Sequence, residues 1–226
     1  MKEQYVILIP AYNAEAHIDD LLNRISKFTD ERIVIIVIDD GSFDNTVEIV
    51  KLHKTVNLLK HEYNKGKGDA LKYGIKIILE RYPRSTAVIF IDSDLQHEPE
   101  KIPQFINAYE QGRGDFIVGR REISLRKMPF ARIISNLLTS CMLSLKLKQK
   151  IYDSQCGYRL VSLFYLQNDV TFQMGNYAFE TELLIKAGKK GAKFFHIDIP
   201  TIYHGSQSYI HGLRDTLAFI KTFLRY

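Results

Sequence analysis

Cysteine is scarce in this chain of 226 residues, with only Cys141 and Cys156 present. There is no CxxC and no Cys/His cluster, which argues against both a disulfide-stapled scaffold and a thiolate zinc site and points to a reducing cytoplasm. Proline is also scarce, at six residues. No low-complexity tract, internal repeat or linker is visible, so a second, separately tethered domain is not expected. No run approaches the roughly 20 apolar residues of a membrane-spanning helix. The apolar stretch in "MKEQYVILIP" is too short for a signal peptide and no small-residue cleavage site follows it. If a membrane matters, the chain is expected to lie on it.

What is present is apolar and mildly basic. Hydrophobic residues make up 46% of the chain, enough for one sizeable core, and the net charge is +5. That balance suits an anionic partner such as a nucleotide or a phospholipid surface. The basic residues are not interleaved with a recognition helix, so nucleic acid is not the expected partner.

Near-continuous apolar runs at 5–9 and 32–38 read as strands buried on both faces, as in a parallel sheet. Helical spacing follows at 15–28, 44–53, 67–82 and 99–111, with further strands at 56–59, 86–91 and 115–119. This alternation predicts a doubly wound α/β fold, a mostly parallel sheet flanked by helices, whose ligands bind beyond the carboxyl ends of the strands. "PAYNAE", "DDGS" and "DSD" fall at those ends. Beyond residue 127, helices are predicted at 130–147, 177–190 and 211–225 and a strand over "KFFHIDIP". We read residues 1–125 and 126–226 as the two halves of one domain.

"IDSDLQ" sets Asp92 and Asp94 two residues apart at a strand end. Two carboxylates are too few for a full metal cage, but Mg²⁺ or Mn²⁺ fills its other positions with water and substrate phosphates, and Gln96 lies within reach to assist. The pair is equally explained as solvated aspartates capping the next helix. In "IDDGSFDNT", turn chemistry accounts for Gly41, Ser42 and Asp44 but not for Asp39 and Asp40 together at a strand end, where carboxylates can accept from ribose hydroxyls or a base N–H. "NKGKGDALKYG" carries Gly66, Lys67 and Gly68 into a helix N-terminus, a place for phosphate or simply a basic loop. It is neither GxGxxG nor a Walker sequence.

In order and approximate spacing, "IPAYNAE", "VIDDGSFDNT", "NKGKGDALKYG" and "DSDLQHEPE" resemble the family 2 glycosyltransferases of GT-A fold. "GDFIVGRR", "DSQCGYRL" and "YAFETELLIKAGKKG…IDIPTIYHGSQS" are similar to the dolichyl-phosphate mannose synthase-like branch, which moves sugar from a nucleotide-sugar (UDP or GDP) to a polyprenyl phosphate. The resemblance implies a single Rossmann-like domain with a nucleotide-sugar-binding half over 1–125 and an acceptor-binding half over 126–226. It implies that Pro10 and Tyr12 line the base pocket and that Asp39 and Asp40 meet base and ribose. Glu15 and Lys67 would lie on the donor side. Asp92, Ser93 and Asp94 would take metal and diphosphate, with Gln96 on the metal side. Arg120 would face a donor or acceptor phosphate, and Arg132, Ser135 and Ser208 the lipid phosphate. Two departures stand out: Ala14 intervenes before Glu15, and "GSQSY" lacks the basic residue common in that branch.

The acceptor decides the chemistry. A phosphate monoester, with its second pKa near 6, is already largely dianionic and needs counter-charge, which Arg120, Arg121, Arg126 and Arg132 offer. A saccharide or glycolipid hydroxyl, as in cell-surface polysaccharide synthesis, needs a base; Glu180 and Glu182 are the candidates. They equally suit the first turn of a helix. A non-catalytic nucleotide-sugar-binding module is the reading of another class. The helix over 130–147 has two readings too: its broad apolar face packs on the sheet, or lies at a bilayer interface with Lys146, Lys148 and Lys150 near anionic headgroups. The second makes the protein peripheral on the inner face of the membrane, aided there by a membrane-protein partner.

Overall fold

The computed structural model describes residues 3–123, 128–167, 176–202 and 212–226. Seven strands form one sheet in the order β3-β2-β1-β4-β6-β5-β7. Strands β1 (Tyr5–Ala11), β2 (Ile33–Asp39), β3 (Val56–Lys60) and β4 (Ala87–Phe90) are mutually parallel. Every residue of β1 and β4 is buried, as their unbroken apolar sequences require when helices cover both faces. Helices α1 (Ile18–Ser26), α2 (Thr46–Leu52) and α3 (Lys67–Arg81) make the crossovers. In α1, Ile18, Leu21, Leu22 and Ile25 form the buried stripe.

β1 pairs with β2 along its whole length but with β4 only as far as Leu8↔Phe90. Pro10, which has no N–H to give, therefore lies beyond the last β1–β4 pair. The order also reverses at β1: the chain runs outward through β2 and β3, then returns to set β4 on the other side. Such a switch point opens a crevice at the carboxyl ends of the strands. Ala11, Asp39 and the segment after Phe90 meet there.

A short 3₁₀ turn (Pro99–Lys101) leads into α4 (Ile102–Glu110), then β5 (Phe116–Arg121) and the long α5 (Phe130–Leu147). The stretch after "DSQCGY" is strand β6 (Arg159–Ser162), which inserts antiparallel between β4 and β5 and continues into α6 (Leu163–Gln167). Helix α7 (Asn176–Lys189), strand β7 (Phe194–Ile199, parallel to β5) and α8 (Gly212–Arg225) complete the chain.

Helix α5 is long and apolar enough to cross a membrane by length and composition, contrary to the expectation that no segment would be. Its buried side is largely polar, however. Asn136, Thr139 and Ser140 are buried, while Phe130, Ile134, Leu137, Leu138 and Leu145 are exposed. The polar side engages the loop before β6: Asn136 Nδ2 donates to Asp153, Ser154 N donates to Ser140 Oγ, and Gln155 Nε2 donates to Ser135 Oγ. At the far end, Lys146 Nζ donates to the Phe223 carbonyl of α8. Helix α8 also turns Leu217, Ile220 and Leu224 outward.

Candidate active site

The turn after β2 is built on two adjacent carboxylates with different surroundings. Asp40 accepts from the Lys65 and Gly66 backbone N–H groups at 3.0 and 2.8 Å and from His61 Nδ1 at 2.7 Å. Because a carboxylate only accepts, His61 Nδ1 must carry the proton. Asp40 thus holds the 61–66 loop in place and has little left to offer a ribose. Asp39 is fully buried; its Oδ1 accepts weakly from Ser42 N at 3.3 Å, and its Oδ2 has no hydrogen-bond partner among the described residues. Asp39, Gly41, Ser42, Lys60, His61 and Glu62 line one cavity of about 290 Å³. Gly41, at φ 75, closes the turn where a Cβ would stand 2.6 Å from the Tyr63 backbone.

The turn after β1 leans on the same structure. Asn13 takes φ 49, and its N–H donates to Ser42 Oγ while Phe43 N–H returns a bond to Asn13 Oδ1. Glu15 accepts from both the backbone and side chain of Asn45. Its carboxylate ties the two loops together. Tyr12 is half exposed and meets the outward ring of Phe43 edge-on at 6.1 Å; Pro10 is buried beneath.

After β4 the chain carries Asp92, Ser93 and Asp94, then reverses at Leu95, a bulky residue at φ 56. Left-handed backbone at such a residue is uncommon and tends to cluster where function demands it. Gln96 backbone N–H donates to Asp94 Oδ1 at 3.0 Å. Lys67, the first residue of α3, bridges Asp92 Oδ1 at 2.7 Å and Glu180 Oε1 at 2.9 Å. His97, which the sequence reading passed over although it lies within "DSDLQHEPE", is buried with Nε2 3.9 Å from Asp92 Oδ2.

Burial works against charge on Asp92, but Lys67, with His97 and Arg159, outweighs it and holds the carboxyl below its ordinary pKa. Asp94 goes the other way, since burial and then the charge of Asp92 push its carboxyl up. Burial lowers the Lys67 pKa, yet Asp92 and Glu180 outweigh it and keep the ammonium charged. Burial keeps the His97 imidazole below its usual value against the pull of Asp92, and Arg121 adds to it. No cluster of three or more His, Cys, Asp or Glu fit to hold a metal occurs among the described residues. Two crowded carboxylates, one resisting ionisation, do fit a hard divalent ion that draws its other oxygens from water and a phosphate ligand.

The loop before β6 roofs this cluster. A Cβ on Gly157 would stand 2.6 Å from Asp92 Oδ2 and 3.1 Å from Lys67 Nζ. Arg159 is 1% exposed and has no carboxylate partner among the described residues. Its guanidinium instead donates to the carbonyls of Cys156, Ser154 and Glu180. One buried side chain thereby fixes both the roof and the start of α7. Nothing in a single sequence marks an Arg as buried in this way.

The remaining expected residues divide. Strand alternation sends Arg120 away from the cluster. It forms a two-pronged pair with Asp198 on β7, 41% exposed, and stacks on Tyr152. Its neighbour Arg121 pairs with buried Asp153 at 2.7 Å and is the one that acts on His97. Arg120, expected to face a phosphate, is thus engaged by Asp198 on the strand's outer side. Glu182 is fully buried and paired with Lys186 at 2.8 Å. Ser135 lies on α5 against Gln155, and Arg132 one turn earlier. Ser208 and Arg126 lie outside the described residues.

Comparison with known proteins agrees with this geometry. Residues 6–168 match the model of the family described as glycosyl transferase family 2. An uncharacterized protein of Methanocaldococcus jannaschii is 34% identical over 210 residues, covering 88% of each chain. The UDP-N-acetylglucosamine–dolichyl-phosphate N-acetylglucosaminyltransferase of Methanococcus voltae is 32% identical over 218 residues, covering 87% of this chain and 85% of its own. Among solved structures, the glucosyl-3-phosphoglycerate synthase of Mycobacterium tuberculosis superposes with a TM-score of 0.75 at 22% identity, over 99% of this chain and 79% of that one, and shares the GT-A fold. The chain belongs to the family 2 glycosyltransferases and is an enzyme of that class.

Proposed function

We propose that the enzyme transfers a sugar from a nucleoside-diphosphate sugar, UDP- or GDP-linked, to a polyprenyl phosphate at a membrane surface, with Mg²⁺ or Mn²⁺ at Asp92 and Asp94. The observation that carries this reading is the two-sidedness of α5. Its polar side hydrogen-bonds the loop that runs on over Asp92, while its apolar side faces outward. One helix can thus rest on lipid and hold the catalytic loop, which suits an acceptor with a phosphate head and a hydrocarbon tail. Two relatives support the acceptor class by name: the Methanococcus voltae enzyme, and the undecaprenyl-phosphate 4-deoxy-4-formamido-L-arabinose transferase of Shewanella sediminis, 30% identical over 145 residues. The Mycobacterium tuberculosis synthase has been crystallised with Mn²⁺ and UDP.

The chain's own residues have clear tasks in this scheme. The unpartnered Oδ2 of Asp39 accepts an N–H or hydroxyl from the nucleoside. Asp92 and Asp94 would hold the cation, which supplies Lewis-acid stabilisation of the departing diphosphate. An oxygen of the acceptor phosphate attacks the anomeric carbon as the bond to the diphosphate breaks, and the nucleoside diphosphate leaves with the electron pair. A dianionic phosphate has no proton to lose, so no base is needed. It needs counter-charge instead, and Arg132 and Arg121 are the candidates. Glu180, engaged by Lys67, is suited to orienting that ammonium. The whole chain acts as one catalytic unit, attached peripherally on the cytoplasmic face.

The test is a transfer assay with a panel of UDP- and GDP-sugars, Mn²⁺ and a polyprenyl phosphate in detergent, read by mass spectrometry of the lipid extract. The expected product is a sugar joined to the polyprenyl phosphate, lost on adding chelator. Transfer to saccharide hydroxyls but not to the phosphate would overturn the acceptor assignment.

A further inference from the structure

Asp92 already has a cation. Lys67 Nζ is 2.7 Å from its Oδ1, within charge-assisted hydrogen-bond range. The ammonium is held from the other side by Glu180 at 2.9 Å, and Gly157 closes over both groups so tightly that a methyl would not fit. Arg159 in turn fixes the Gly157 loop and the Glu180 carbonyl. Lys67 is only a quarter exposed, so it is no loose surface lysine meeting a passing carboxylate.

From this arrangement we infer that Lys67 is a resident counter-cation of the donor site, which makes the divalent metal and the nucleoside diphosphate bind as one unit. The inference rests on the assignment of Asp92 and Asp94 as the metal-binding pair. A metal arriving alone must compete with Lys67 for Asp92. If it succeeds, it sets a divalent charge beside an ammonium that has only Glu180 left. A diphosphate changes both terms. Lys67 is the first residue of α3, whose N-cap Gly66 makes no side-chain cap hydrogen bond and whose N-terminus carries a partial positive charge. A phosphate arriving there gives the ammonium a new anion, Asp92 is released to the metal, and the metal gains phosphate oxygens. Coupling of this kind is reciprocal, so metal and diphosphate each tighten the other by the same factor. Lys67 is then a positioning residue whose charge suppresses binding of metal without donor.

The experiment measures Mn²⁺ binding, not turnover, by electron paramagnetic resonance of the free aqueous ion. The full-length protein is titrated alone, with UDP and with GDP. Wild type is expected to bind Mn²⁺ weakly alone and roughly 5–150-fold more tightly with the accepted diphosphate, the range typical of linked sites. Lys67→Met is expected to bind Mn²⁺ alone at least about tenfold more tightly than wild type and to lose most of the coupling. Lys67→Arg, which keeps the charge, should stay close to wild type. A Mn²⁺ affinity in wild type that ignores both diphosphates overturns the inference without any variant. So does a folded Lys67→Met, or Lys67→Gln if the former does not fold, that binds Mn²⁺ no more tightly alone. Asp94→Asn separates the two levels. If it leaves Mn²⁺ binding intact, or wild type binds none, the metal assignment falls and this inference with it. If Asp94→Asn abolishes binding while Lys67→Met does not tighten it, only the role of Lys67 is refuted.

Discussion

Gly157 lies against Asp92 so closely that a Cβ would stand 2.6 Å from Oδ2, a separation that real Cβ contacts do not show. The atom in the way is the end of a side chain, so the backbone need not move. Asp92 must rotate instead, and Lys67, 3.1 Å from the same point, with it. Gly157→Ala is therefore expected to melt near wild type yet lose about a hundredfold in kcat, the scale of a displacement of about 1 Å at a reacting centre. Thermal melts and steady-state kinetics on one preparation check this. An equal fall in stability and activity would mean that the roof, not the carboxylate, had moved.

Asp94→Asn tests the pair from its other member. The amide keeps the shape and can still accept from Gln96 N–H through its oxygen. It removes a charge that burial and Asp92 already disfavour, so folding should be unaffected or slightly improved. Turnover should fall by roughly a hundredfold or more, since a metal ion at such a site is worth several kcal/mol and each 1.36 kcal/mol is a factor of ten. Retention of full activity, in the variant or in wild type treated with chelator, would remove the metal from the scheme.

His196 gives a pH signature away from the active site. Burial, and after it the Arg120 guanidinium, lowers its pKa from 6.5 to about 4. Its Nε2 accepts from Tyr152 N–H at 3.3 Å, so the folded state holds the neutral ring. Between pH 6.5 and about 4 the unfolded chain binds a proton that the folded chain does not. Stability must therefore decline as pH falls through that window, and is unaffected by this group above it. His196→Gln keeps an acceptor for Tyr152 but cannot titrate. Urea midpoints across the window should show a shallower decline in the variant; parallel curves would assign the acid loss to other groups.

The parallel half of the fold was legible because its strands are buried on both faces and its helices carry clean apolar stripes. β1, β2 and α1 fall within a few residues of their expected bounds. Strand β6 was not legible. It is four residues long and begins with Arg159, whose guanidinium is satisfied by the carbonyls of Ser154 and Cys156 in the preceding loop and of Glu180 in α7. The carboxylates Asp39, Asp92 and Asp94 could be read from their positions at strand ends. Their divergent environments could not, because Asp40 is occupied by a loop more than 20 residues away. Likewise the sequence offers Arg120 and Arg121, or Glu180 and Glu182, as adjacent equivalents. Strand pleat then sets Arg120 against Asp198 and Arg121 against Asp153, and helix rotation sets Glu180 against Lys67 and Glu182 against Lys186.

The exposed face of α5 is the last point to test. Leu138 and Leu145 are 60% and 76% exposed, with Lys148 and Lys150 beside the helix end. On an apolar face docked to anionic lipid, each leucine loses water contact and each lysine gains a headgroup. The protein is expected to sediment with anionic vesicles at low salt and to release as salt shortens the screening length to about 10 Å near 0.1 M. Leu138→Glu combined with Leu145→Glu should weaken vesicle binding by roughly tenfold or more, because burying one leucine side chain is worth about 1.5–3 kcal/mol. Stability should hold, since neither side chain belongs to the core. Activity on a short-chain, water-soluble acceptor phosphate should also persist, because the polar side of α5 that holds the 153–155 loop is untouched. A double variant that binds vesicles like wild type would show that the face serves another partner. If wild type proves dimeric and the variant monomeric, that partner is a second copy of the chain.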